Sequence, residues 1–185
     1  MKRFFAFLFL FAGIAAANTA LSAERSVPSA TVVRQVNTLL NAPEYEPTAQ
    51  DWKRVGPDAA VVLRQIARDR KVLVVKRSRA AVSLLHFRSA DSSALMRELV
   101  TAAKTPRFLR GKAAIALAIH DGTAALTVIE PLLSHSHERL RESAIRALTR
   151  IDHNNARVAL AAHLKVESNV TLRKVIERHL SKGGA

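Results

Sequence analysis

Apolar residues recur along one helical face of this chain, and the pattern repeats. Arg77-x-x-Ala80-x-x-Ser83-Leu84 returns as Arg110-x-x-Ala113-x-x-Ala116-Leu117 and as Arg141-x-x-Ala144-x-x-Ala147-Leu148, then more loosely as Arg173-x-x-Ile176-x-x-His179-Leu180. The arginines lie 33, 31 and 32 residues apart. Upstream of each sits a second amphipathic stretch, opened by Pro57-Asp58, Asp91-Ser92-Ser93, Asp121-Gly122-Thr123 or Asp152-His153-Asn154. Such residues start helices: Asp, Ser, Thr and Asn side chains accept hydrogen bonds from the orphan amides of a first turn, and proline fits an initial position. The spacing predicts four helical hairpins, with first (A) helices near 58–70, 93–104, 123–134 and 154–165. The second (B) helices fall near 73–88, 108–120, 138–151 and 170–181. Alanines one turn apart let neighbouring helices approach closely, and the leucine that follows fills the space between hairpins. One such short pair cannot cover its own apolar face, so the hairpins have to stack.

Residues 24–56 stand outside the repeat. Val32, Val33, Val36, Leu39 and Leu40 predict one helix behind a Pro28-Ser29 start, stopped by Asn41-Ala42-Pro43. Glu44 to Pro47 reads as a linker, and Thr48-x-x-Asp51 opens a short helix carrying Trp52, expected to cap the apolar end of the first hairpin. Ahead of this, Lys2 and Arg3, the apolar run Phe4 to Ala17 and Leu21-Ser22-Ala23 read as an export signal cleaved after Ala23. The run is shorter than the roughly 20 residues a bilayer span needs. The expected organisation is a signal peptide at 1–23, an N-terminal helix, linker and capping helix at 24–56, and a repeat domain at 57–185. Its repeats cover about 57–90, 91–121, 122–152 and 153–182. The expected location is periplasmic or secreted, with membrane attachment only if the signal stays uncleaved.

The Leu-Arg-x-x-Ala-x-x-Ala-Leu run, fullest at Leu109 to Leu117 and Leu140 to Leu148, resembles HEAT repeats, in particular the shorter bilin-lyase-like type. The resemblance spans 57–182 and implies an all-α fold: an α-solenoid of about four hairpins with an additional N-terminal helix; the signal together with the lack of cysteine makes an exported bacterial protein the expectation. A compact bundle of eight helices is the alternative architecture. Longer HEAT repeats carry an Asp six residues before the repeated Arg; here Lys71, Lys104, His135 and Glu167 stand there, so only Glu167 is expected to pair, with Arg173.

Charge then bears on partners. The chain has 185 residues, 29 Lys+Arg against 15 Asp+Glu, and a net charge of +14. Without Lys2 and Arg3 the balance is −1 over 24–63, +10 over 64–112 and +3 over 113–185. Arg64, Arg68, Arg70 and Lys71 close an A helix and complement its dipole. Lys76, Arg79, Lys104, Arg107 and Lys112 exceed that need. At 100° per residue, the B-helix faces opposite the core carry Val75, Arg79, Val82 and His86, then Phe108, Lys112, Ile115 and Ile119, then Ser143, Arg146 and Arg150, then Arg178 and Lys182. The resemblance to HEAT repeats implies that the B helices line a concave surface, here a basic groove with an apolar centre. Arg79, Lys112, Arg146 and Arg150 are the candidates for steering an acidic partner, and Phe108, Ile115 and Ile119 for apolar contact. The apolar centre is either covered by the 29–41 helix through Val32, Val36 and Leu39, or open to a partner's amphipathic helix or extended peptide.

Other chemistries find little support. With no cysteine, disulfides, thiolate metal sites, iron–sulfur ligation and cysteine nucleophiles are excluded. Past the signal only Tyr45, Trp52, Phe87 and Phe108 are aromatic, a poor set for base stacking, and export separates the protein from nucleic acid. HEAT-type di-iron hydroxylases use repeated His-Glu pairs, and His137-Glu138 is the single one here. His135-x-His137 reads as a solvent-exposed turn, and the repeat motif does not carry bilin-lyase activity over. No Gly-rich phosphate loop or nucleophile elbow is present. The expected function is a non-enzymatic exported scaffold, without cofactor or metal, whose groove binds an acidic protein or an anionic envelope polymer. A HEAT-type enzyme is the alternative, or a DNA-binding protein if the signal reading is wrong.

Overall fold

A computed structural model describes residues 27–42 and 44–182, and every regular element among them is helical. The export signal read at 1–23 lies outside the described residues. In chain order the helices are α1 (Ala30–Asn41), α2 (Ala49–Val55), α3 (Ala59–Arg68), α4 (Val74–Ser83), α5 (Ala90–Thr101), α6 (Arg107–Asp121), α7 (Leu126–Ile129), α8 (Glu138–Leu148), α9 (Asn154–Leu164) and α10 (Val170–Ser181). A 3-10 turn, Leu84–His86, extends α4.

Local chemistry sets most of the starts. Ser29 caps α1 by accepting from the Val32 amide at 3.3 Å. Thr48 and Asp51 form a reciprocal capping box on α2. Two of the expected starts are shifted: α5 is capped by Ser89, two residues before Asp91, and α9 by the His153 ring, with no cap from Asp152. The segment predicted as one helix over 123–134 is broken. Gly122 takes a positive φ of 58°, and Pro131 lacks an amide hydrogen to donate, so 3-10 turns at Gly122–Ala125 and Glu130–Ser134 flank the short α7.

Helices α4, α6, α8 and α10 lie side by side in that order, while α3 backs α4, α5 backs α6 and α9 backs α10. The repeated small residues do what their size allows: Ala80, Ala113, Ala144 and Ala147 are fully buried, with Leu84, Leu117 and Leu148 packed beside them. The helical run Arg107–Ser134 is long and apolar enough to cross a membrane, but half of it is buried against its neighbours. Helices α6 and α8 approach closely at Gly111, where a Cβ would stand 2.4 Å from Ser143 Oγ and 3.0 Å from Ser143 Cβ. Gly111→Ala, which gains about 1 kcal/mol in an unconstrained helix, is therefore expected to lose about 1 kcal/mol as α6 and α8 are pushed apart. Urea unfolding checks the sign, and a smaller loss in a Ser143→Ala background would place the cost at this contact.

The repeated arginines share one task. Arg77 Nε donates to the Ala67 carbonyl at 3.0 Å, Arg110 to Ala102 at 2.6 Å, Arg141 to His135 at 3.1 Å and Arg173 to Leu164 at 2.7 Å. Each guanidinium thus satisfies orphan carbonyls at the C-terminal end of the segment before its own helix, where the dipole also favours a cation. The expected Glu167–Arg173 pair is not formed. Arg173 takes the Glu167 main-chain oxygen at 3.1 Å, and the Glu167 carboxylate turns back to Arg141 on α8, at 2.9 and 3.0 Å. His163 Nε2 and the Asn169 amide complete its shell, each at 2.9 Å. The Arg141 hydrogen bonds hold this carboxyl at about 2, against the upward push of burial.

At the other end, α1 packs on α3 and α4 through Val36 and Leu40. Trp52 of α2 is 1% exposed and meets Phe87 edge-on at 6.0 Å between ring centroids. Polar ties fix the linker between them. Arg79 donates to the carbonyls of Leu39 and Tyr45, Lys76 Nζ to Asn37 Oδ1 at 2.7 Å, and the Tyr45 hydroxyl to Asp51.

Candidate functional site

The outward faces of α4, α6, α8 and α10 form a run of three adjoining hollows, and all seven residues singled out from the sequence line them. The first, of about 280 Å³, lies between the 44–47 linker, α4 and Phe108 and Lys112 of α6. A second, of about 550 Å³, separates the N-terminal halves of α6 and α8. The third, of about 580 Å³, runs from Glu46 and Val82 past Ile115, Ile119, Arg146 and Arg150 to Val175 and Arg178 of α10. Lys112 borders all three.

The helical period explains this convergence. Phe108, Lys112, Ile115 and Ile119 occupy one stripe of α6, the helix flanked by both α4 and α8, so they fall on the floor and rim of a shared depression. Phe108 is 51% exposed, and Lys112 Nζ sits 5.8 Å from its ring centroid, a cation–π arrangement that keeps the ammonium over the apolar surface. Arg146 pairs with Glu142 one turn back at 2.9 Å, an exposed pair that holds the side chain only weakly. Arg150 is exposed on the turn beyond.

Arg79 differs from the expectation of a steering cation. Its guanidinium holds the Leu39 and Tyr45 carbonyls, so its first effect is to fasten the linker beside the groove. Lys76, also counted as surplus, is likewise used on Asn37. The partner of Lys76 is a neutral oxygen, however, and its charge stays. Carboxylates reach Arg64, Arg68 and Arg97 through Asp91 (3.5 Å), Glu98 (3.0 Å) and Asp121, whereas Arg77, Arg88 and Arg110 bond to carbonyls. Helix α1, expected as one cover for the apolar centre, packs on α3 and α4 instead, and no described residue of α1 lines the three hollows.

Sequence reasoning missed Glu46 and Pro47, which border the groove because Arg79 draws the linker over α4. No local pattern signals this. Arg107, Arg139 and His137 were also missed as lining residues; they come from the first turns of α6 and α8 and the turn before α8.

The buried polar cluster around Asp121 lies away from the groove and ties helices together. Asp121 accepts from Ser93 at 2.6 Å and from Arg97 of α5, and meets His120 Nδ1 at 2.6 Å. Burial pushes the Asp121 carboxyl up, but these bonds outweigh it and hold it below the ordinary range. In the turn before α8, the His137 amide donates to His135 Nδ1 at 2.9 Å, and burial followed by the nearby Arg110 lowers the His135 pKa. Both histidines are partly buried, not open to solvent as expected. Among the described residues no group of three or more His, Asp or Glu is placed to hold a metal ion. The arrangement offers cations around apolar surface, which is chemistry for binding. No protein-family model matches the chain, and neither does any curated protein.

Proposed function

We propose that the protein is a non-enzymatic α-solenoid of four HEAT-like hairpins, exported to the periplasm or secreted, that binds an acidic protein partner in its B-helix groove. The observation that carries this reading is the 580 Å³ hollow bordered by residues of α4, α6, α8 and α10, with Lys112, Arg146, Arg150 and Arg178 around Ile115 and Ile119. Cations on a fixed frame raise the encounter rate with an acidic surface, and exposed apolar side chains between them retain it once water is expelled. A preset groove also loses little freedom on binding. The role of the repeated arginines supports the hairpin reading, since one interaction recurs four times at the repeat spacing.

Fluorescein-labelled poly-glutamate tests the groove. The wild-type protein is expected to bind it with an affinity that falls as salt rises, and the exposed-site variant Lys112→Glu/Arg146→Glu to bind about tenfold more weakly or worse. Equal affinities for the two proteins, with unchanged helicity, would remove the groove assignment.

A further inference from the structure

We propose that the groove accepts an extended peptide bearing a carboxylate at every third residue, and that the chain's own Glu46 stands in for the first of those carboxylates. This rests on the acidic-partner reading above and specifies the partner's conformation and spacing.

The protein supplies the example itself. Glu44 to Pro47 is non-helical and places Glu46 on the border of both the first and the third hollow. The segment is held there by contacts of its own backbone and flanks: Arg79, on the wall of the first hollow, grips the Leu39 and Tyr45 carbonyls, the Tyr45 hydroxyl bonds to Asp51, and Thr48 and Asp51 close the capping box that follows. An acidic residue on irregular backbone therefore stands at one end of a hollow that continues across three more helices.

Beyond Glu46 the hollow presents cations on each successive helix, Lys112 on α6, Arg146 on α8 with Arg150 on the turn beyond it, and Arg178 on α10. Packed helices lie about 8–10 Å apart, and a chain extended as a polyproline II helix, whose three residues per turn bring every third side chain onto one face, advances about 3.1 Å per residue. Three extended residues thus cover one helix-to-helix step. The two residues between carboxylates would lie over Ile115, Ile119 and Val175. A helical ligand fits poorly. At a rise of about 1.5 Å per residue it needs about six residues per step, which is not a whole number of its 3.6-residue turns.

Three labelled peptides of one length and composition decide the matter by anisotropy with the purified protein: acids at every third position, acids at every second position, and a side-chain-stapled helix with acids on one face. The period-three peptide is expected to bind about tenfold more tightly than either control, and Lys112→Glu to abolish that preference. Glu46→Gln, an exposed change, is expected to tighten period-three binding about threefold by removing the resident negative charge; no change or weakening would overturn the stand-in role. Equal binding of all three peptides would overturn the extended register while leaving the acidic-partner reading intact, as would preference for the stapled helix. Binding of poly-glutamate without binding of any peptide would do the same. Failure of poly-glutamate and peptides alike, or tighter binding of DNA or anionic vesicles, would overturn both.

Discussion

Replacing Glu167 with alanine lowers the unfolding free energy by about 3–5 kcal/mol. The Glu167 side chain is fully buried and receives two hydrogen bonds from Arg141, one from the Asn169 amide and one shared with His163. Truncation leaves the Arg141 guanidinium, itself only 16% exposed, without its counter-charge, and unfastens α8 from the turn that joins α9 to α10. In a chain of this size the loss corresponds to a fall in Tm of about 10 °C. A melting curve within 2 °C of wild type, taken as about the effect of 1 kcal/mol, would show that the ion pair is not stabilising the fold. The pH dependence has a definite sign. The folded-state pKa of about 2 lies below the ordinary value of 4.5, so the contribution is complete above pH 4.5 and disappears as pH falls from there towards 2. Wild type therefore loses stability over that acid window relative to neutral pH by more than Glu167→Gln does. Parallel pH profiles for the two proteins would contradict this.

Trp52→Ala is expected to cost a similar amount, about 3–5 kcal/mol, but at the opposite end and with a different outcome. Trp52 is the only tryptophan, packs against Phe87 and belongs to a short helix whose sequence-local support is one capping box. Without the indole, α2 has no other buried residue to anchor it. The linker strapped by Arg79 then detaches together with it, exposing residues 42–57 to proteolysis before the central helices unfold. Trp52→Phe is expected to lose much less. The indole Nε1 is buried without a hydrogen-bond partner among the described residues, so deleting that amine recovers part of what the smaller ring gives up. Limited proteolysis beside urea unfolding distinguishes the two variants; equal resistance of Trp52→Ala and wild type in the 42–57 region would refute the anchoring role.

Helix positions were legible because the chain states them twice, in apolar periodicity and in capping chemistry. Ser29 and the Thr48–Asp51 box are used as their spacing implies. The seven groove candidates converge for the same reason: a helical stripe is geometry that residue number alone determines once neighbouring helices align. What sequence could not disclose depends on reach between elements. Glu167 is six residues before Arg173 but finds the arginine 26 residues earlier, because its turn faces α8. Arg79 reads as a groove cation, and its contact with carbonyls 34 and 40 residues away follows only from where the linker runs. Asp121 looks like a helix start and serves as a junction for Ser93, Arg97 and His120. In each case a long or charged side chain had several partners within its span, and tertiary packing chose among them.

The bonding of the repeated arginines to carbonyl oxygens has a colloidal consequence. A guanidinium that donates to a neutral acceptor keeps its whole charge, so the bonds that Arg77, Arg110 and Arg173 make at these helix ends leave the electrostatic field around the molecule undiminished, whereas Glu167 offsets the charge of Arg141. Arginine does not titrate below about pH 12, and no ordinary buffer can switch that field off; only dissolved ions can, over a screening distance of about 8 Å at physiological ionic strength. Copies of the protein consequently repel one another in dilute salt despite the open phenylalanine and isoleucine surface on α6. Added salt shortens the reach of that repulsion, and the arginines that fasten the helices double as the dispersant that keeps the molecules apart.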